Sequence, residues 1–313
     1  MAELVGDVPD SAGQTARPEL AAARTRALLA LFVVQLLFGG MPVVGKLAIP
    51  TFGPEGVVFA RIGGAAIAFA LTRRSMRLPA VVGPDRLRLI ACSALGVVFN
   101  QLLFVNGLAR TTASHAALLT TTIPAITLGI SIIIGMERLT VRRALGLVVA
   151  GTGAAALILA REGPTASGST ASAFGDSLIV CNATVYSLYL VLSRPLLARH
   201  HGISVLSGLF GWGAVLVLPF AVGPILSQLP VIETATAANW AALAFLVLGP
   251  TIGAYGLNLY ALRTVSPSTV AFWIYVQPPV AAALAIPLLG ERPTIMLFVA
   301  GALTFLGMWI GRE

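Results

Sequence analysis

Residues 120–153, TTTIPAITLGISIIIGMERLTVRRALGLVVAGTG, occur in two related copies. A shift of 154 residues carries Pro124 onto Pro278, Glu137 onto Glu291, Arg138 onto Arg292, Thr140 onto Thr294 and Gly153 onto Gly307. Upstream the same shift carries Leu108 onto Leu262 and Ser114 onto Ser268, so the register holds without a gap. A constant offset over this distance is the signature of an internal duplication, and the rest of the chain is read as the surroundings of two copies of one unit.

The medium in which that unit folds follows from composition. Of 313 residues 57% are apolar and 10% are charged, with a mean hydropathy of +0.92. A soluble domain carries about 25% charged residues, so this chain is predicted to fold in lipid. The net charge of +8 is spread over short loops with no basic block longer than two residues, which speaks against nucleic acid and for control of membrane topology. Cys92 and Cys181 both sit in apolar runs and read as small core residues rather than a disulfide framework.

Residues 1–26 lack an apolar h-region and mix acids with Pro and Gly, which predicts a disordered cytoplasmic tail and not a signal peptide. Apolar runs of spanning length follow, each needing about 20 residues to cross the hydrocarbon. They predict ten helices near 27–49, 55–72, 87–108, 112–135, 141–160, 174–197, 203–226, 238–260, 266–289 and 294–311, grouped as repeats 27–160 and 174–312. The sizeable connections are 73–86, the Gly/Ser/Thr-rich 161–173 and 227–237.

With the N-terminus in the cytoplasm, 15 of the 20 basic residues fall on the cytoplasmic side, Lys46, Arg110, Arg161 and Arg292 lie near the other face, and Arg61 lies within a helix. Both termini are therefore predicted to be cytoplasmic. Five helices per repeat is an odd number, so the second repeat must enter from the opposite side. The expected fold is an all-α integral membrane protein with ten transmembrane helices in two inverted five-helix repeats. Inverted repeats are the architecture by which one fold reaches inward-open and outward-open states, so a transporter is the leading reading.

The runs FGGMPVVGK (38–46), EGVVFAR (55–61), GDSLIV (175–180) and LLGERPT (288–294), with the repeated Pro-to-Glu spacing, resemble the EamA-type branch of the drug/metabolite transporter superfamily. The likeness covers nearly everything after residue 27. It implies ten helices in two inverted repeats, a central cavity lined mainly by helices 1, 3, 4, 6, 8 and 9, and export or exchange of small metabolites such as amino acids. One departure is GMER (135–138), where Met136 replaces the usual glycine and puts the geometry of that loop in question.

The candidate residues fall into four groups. Pro124, Pro278 and Pro279 sit about halfway along helices 4 and 9, where proline removes a backbone bond and leaves a carbonyl free; a hinge is expected, with an ordinary packing kink as the alternative. Glu137, Thr140, Glu291 and Thr294 open the following helices as ERLT and ERPT and read as structural helix-end residues. Lys46, Arg61 and Arg194 are gating or electrostatic candidates. Lys46 and Arg194 are expected to snorkel, whereas Arg61 lies deeper and needs a cavity, a carboxylate such as Glu55, or the headgroups. Asn100, Gln101, Thr120, Thr121, Asn182, Tyr186, Asn258, Trp273, Tyr275 and Gln277 are the candidates for a substrate cavity, a polar and aromatic set suited to a small amphipathic ligand, with interhelical hydrogen bonding as the competing role.

No Asp or Glu lies in mid-span, His115 reads as a surface histidine at the end of helix 4, and His200–His201 have no acid nearby. A carboxylate proton relay is therefore not expected, and a facilitator or exchanger is predicted, with a proton-coupled antiporter as the alternative. No P-loop and no metal-ligand spacing occur, so no cofactor and no metal are expected. An intramembrane enzyme or a passive channel are the rival classes; the first lacks a nucleophile–base pair at depth and the second lacks rings of like residues. The expected protein is a multi-pass cell-membrane (inner or plasma membrane) transporter, monomer or homodimer, whose partners are a small-molecule substrate and the lipid bilayer.

Overall fold

A computed structural model describes residues 11–136, 138–159, 172–261, 264–265, 273–292 and 294–311, and among them every regular element is helical. Glu137, Arg161 and the connection over 161–171 lie outside the described residues. In chain order the helices are α1 Ser11–Ser75, α2 Asp85–Arg110, α3 Ala113–Ile133, α4 Val141–Leu159, α5 Ala173–Arg199, α6 Gly202–Leu216, α7 Leu218–Ile232, α8 Ala237–Ala261, α9 Ile274–Leu289 and α10 Ile295–Gly311. By length and composition six of these can cross a membrane, and α6 with α7, bent by 59° at their junction, makes a seventh if taken as one span; α9 and α10 are shorter apolar helices.

The long α1 is a hairpin. A straight helix would hold Leu37 and Gly64 about 40 Å apart at 1.5 Å per residue. Yet Leu37 packs on Gly249 and Gly64 packs on Val247, within one turn of α8. The reversal is at Gly53, whose φ of 67° and ψ of 159° suit only glycine. Pro54 then restarts the helix at a position where no N–H is needed. The amide of Gln228 donates to the carbonyls of Pro50 and Thr51, both at 3.2 Å, and so satisfies backbone groups freed by the break.

The two copies of the duplicated unit meet through α4 and α10. A Cβ on Gly153 would lie 2.7 Å from the carbonyl of Ala300, and one on Gly307 would lie 2.6 Å from the carbonyl of Gly146. Gly146 and Ala300 are themselves 154 apart, so each contact is the repeat image of the other. Moving forward along α4 moves the contact backward along α10, and the two helices run antiparallel about a local two-fold.

Two expectations are corrected. The first helix is described from Ser11, ahead of the span expected from residue 27, and the run ELAAARTR is rich in strong helix formers. Helix continues to Ile232 through Pro224 and Pro230, which shortens the expected 227–237 connection. The turn at GMER survives the loss of its usual glycine because the preceding one serves instead: Gly135 has φ +78°, whereas in the second copy Gly290 has φ +63°.

Candidate functional site

Helical regularity fails at the same repeat position in both copies, twice over. Residues Ala94–Phe99 of α2 and Val247–Gly253 of α8 form π-helical turns, offset by about one repeat length. In α3 the helix pauses at Thr121–Thr122 and resumes at Ile123 with Pro124 in its first turn; α9 likewise passes through a 3-10 turn, Ile274–Val276, before Gln277 and Pro278. Proline has no N–H, so the carbonyls of Thr120 and Ile274 lose their i+4 donors. Thr121 and Thr122 turn their hydroxyls back onto Leu118 and Leu119 at 2.6 Å, which steadies the first break. Breaks of this kind at membrane depth occur where protein or a wet cavity supplies the missing partners.

The π-turn in α8 aims a charge. Pro250 cannot bond the carbonyl of Leu246, and the hydroxyl of Thr251 donates to it instead at 2.7 Å. The same hydroxyl accepts from Nε of Arg61 at 2.9 Å. Arg61 is only 5% exposed and takes part in none of the ion pairs among the described residues. Glu55, a carboxylate that the sequence offered it, is held instead by Nδ2 of Asn106 at 3.0 Å. The terminal guanidinium nitrogens donate to no described residue, and the ring of Tyr255 lies within electrostatic reach. Tyr255 packs edge-on against Phe38 at 6.5 Å and Phe210 at 5.5 Å. The result is a buried cation with its outer hydrogen-bond donors left over, in electrostatic reach of a tyrosine that itself packs against two phenylalanines.

Two amide pairs complete the interior. Asn182 donates to the backbone carbonyl of Asn100 at 2.7 Å and to its side-chain oxygen, tying α5 to α2 just beyond the π-turn. Gln277 donates to Gln35 at 2.7 Å, tying α9 to α1. Tyr186 stacks on Tyr189 at 5.4 Å, and Tyr189 fills the space that a side chain on Gly96 would take.

Other candidates are dispersed. Thr120 bonds Ala116 within its own helix, Trp273 packs on Phe32, and Tyr275 packs on Phe305 of α10. Gln101 is buried, with Oε1 unpaired among the described residues, as is Oδ1 of Asn258. Arg194 is exposed, whereas Lys46 lies in reach of Glu291. Thr140 and Thr294 accept from the amides of Arg143 and Leu297. Glu291 does not face its own helix: it accepts from the amides of Ala113 and Ser114 and the hydroxyl of Ser114, capping α3. A cavity of about 300 Å³ between Arg73, Leu89, Ser204, Ser207 and Trp212 lies off this interior and shares no residue with it.

The chain matches the EamA-like transporter family over residues 25–159 and again over 173–311. It belongs to the EamA-like transporter family. Among its relatives, a probable terminal-alkyne amino-acid exporter of Streptantibioticus cattleyicolor is 26% identical over 265 residues, 85% of this chain and 86% of that one. An uncharacterized transporter of Archaeoglobus fulgidus is 24% identical over 92% of this chain and 97% of its own length. The uncharacterized inner membrane transporter YedA of Escherichia coli K12 is 27% identical over 84% of this chain and 82% of its own. A solved crystal structure superposes with a TM-score of 0.57 at 21% identity, covering 92% of this chain and 97% of that one. This EamA-family chain is a multi-pass membrane protein, and its named relatives point to a transporter rather than an enzyme.

Several interior residues went unnoticed in the sequence. Gln35 is a lone amide in the apolar run LLALFVVQLLFGG and could have been found on that ground. Thr251 and Tyr255 carry no local mark beyond the neighbouring Pro250. Two histidine readings are overturned: His115 is 1% exposed and pairs with Asp176, and His200 pairs with Asp85 at 3.0 Å. In each case the acid lies far away in sequence, at the start of another helix.

Proposed function

We propose that this protein is a secondary transporter that carries a small carboxylate-bearing metabolite, such as an amino acid, out of the cell by alternating access. Ten helices in two inverted five-helix repeats, with both termini cytoplasmic, would supply the two access states, a reading supported by the antiparallel, repeat-related packing of Gly153 and Gly307.

The observation that carries the proposal is Arg61. A charge at membrane depth costs roughly 2.5–3.5 kcal/mol on insertion scales, and it is retained where something pairs with it. Thr251 takes one of its five donors, and no described carboxylate takes the rest. A planar guanidinium matches a carboxylate through two parallel hydrogen bonds, and the aromatic rings around Tyr255 suit an apolar side chain beside it. The name of the Streptantibioticus relative, an amino-acid exporter, agrees with this chemistry.

Counterflow into proteoliposomes, comparing amino acids, their amides and purines, tests the reading. Amino acids should exchange and their amides should not. Arg61→Gln should lower uptake by about 10- to 100-fold, the loss of a charge-assisted hydrogen bond of about 1.5–3 kcal/mol. Exchange of purines in preference to amino acids, or full activity of Arg61→Gln, would refute it.

A further inference from the structure

The turn Thr111–His115 at the start of α3 is gripped by carboxylates from two elements of the second repeat. Asp176, 1% exposed at the start of α5, accepts from the hydroxyl of Thr111 and meets Nδ1 of His115 at 3.0 Å. Glu291, 4% exposed before α10, accepts from the amides of Ala113 and Ser114 at 2.6 and 3.1 Å. One turn of the first repeat is thus the point at which both elements are held together.

Lys46 of α1 lies in reach of Glu291. Arg110, at the end of α2, is turned away onto the carbonyl and side-chain oxygen of Asn106 at 2.8 and 3.0 Å, and Asn106 in turn holds Glu55. Arg292 follows Glu291 and is exposed, and the described parts of α9 and α10 bring no further Asp, Glu, Lys, Arg or His to the turn. A protonated imidazole at His115 puts a positive charge directly against the buried carboxylate of Asp176, whereas a neutral ring leaves that carboxylate only neutral hydrogen-bond partners in this contact, a costly arrangement at low dielectric.

We propose that His115 and Asp176 form a proton-binding latch that closes this end of the transporter. The proton adds to the imidazole as the end closes and leaves to water as it opens, and no other bond is made or broken. The closed state binds the proton more tightly, so by linkage closure is favoured as pH falls and opening as pH rises. Imidazole is the side chain whose charge ordinarily changes between pH 5 and 8.

The consequence for transport rests on the alternating-access reading, but the test needs no substrate and so fails or succeeds independently of it. Nitroxide labels on the exposed Ala173 and Arg292, introduced into the full chain in lipid nanodiscs, flank the two gripping elements. A single short distance is expected at pH 5.5 and a second, longer population at pH 8.5. His115→Gln keeps a hydrogen bond to Asp176 but cannot take the proton, so it should show the longer population at both values. With three histidines in the chain, selective labelling with assignment by His200→Gln and His201→Gln reads the His115 imidazole directly by NMR, and it should titrate reversibly in this range. A distance distribution unchanged by pH, a pH response that persists in His115→Gln, or an imidazole fixed in one charge state from pH 5 to 9 would each overturn the proposal.

Discussion

Gly153 and Gly307 are repeat mates, and each lies against the backbone of the other's helix: a Cβ on Gly307 would stand 2.3 Å from the amide nitrogen of Ala150. Backbone cannot move aside as a side-chain tip can. Leu at either position should therefore lower the melting temperature of the detergent-solubilised protein, as overpacking costs about 1–3 kcal/mol or more. Gly151→Leu, which points into open space, should leave it unchanged. Equal melting temperatures for all three variants would remove the packing argument.

The charge on Arg61 is aimed by a chain of dependences that begins at Pro250. Pro250→Ala returns a donor to the carbonyl of Leu246 and competes with the Thr251 hydroxyl that orients Arg61. Its expected effect is a several-fold rise in the KM for amino-acid counterflow. Thr251→Val, which removes the acceptor outright, should cost about 10-fold, near the value of one hydrogen bond to a charged group. Both KM values staying at wild type would mean that Arg61 is oriented by something else.

If the paired breaks before Pro124 and Pro278 act as hinges, Ala at either position should slow turnover while insertion and folding are kept. Transport rates normalised to the amount of folded protein measure this. Undiminished rates in both variants would reduce the breaks to packing features.

Gln228 contacts Pro50 and Thr51, and Lys46 lies near Glu291, so residues 46–55, 228–236 and 290–292 share one end of the bundle. The arginine distribution predicts that this end faces outward. A cysteine at Glu233 in a background lacking Cys92 and Cys181 should react with an impermeant reagent on intact cells, and one at Arg74 should not. The reverse pattern would invert the orientation.

What could be read from the sequence was what has a local cause. A proline breaks its own helix, so the interruptions at Pro124 and Pro278 were visible in the chain itself, and the duplicated register was visible as a fixed offset. Gly53 followed by Pro54 marks a reversal in the same way. The interior pairings have no such signal. Thr251 meets Arg61 across 190 residues, Asp176 meets His115 across 61, and Glu291 caps a helix that begins 178 residues before it. These depend on which helices become neighbours. Composition read the histidines as isolated because it counts only the acids close to them in the chain.

The bond between Arg61 and Thr251 also has a consequence for biogenesis. Synthesis at about 5–20 residues per second leaves roughly 10–40 s between the emergence of Arg61 and that of its acceptor. During that interval the half of α1 after Gly53 must keep its guanidinium at the headgroups or within the insertion machinery. It can sink to its final depth only after α8 has been made, so the first repeat is completed by the second.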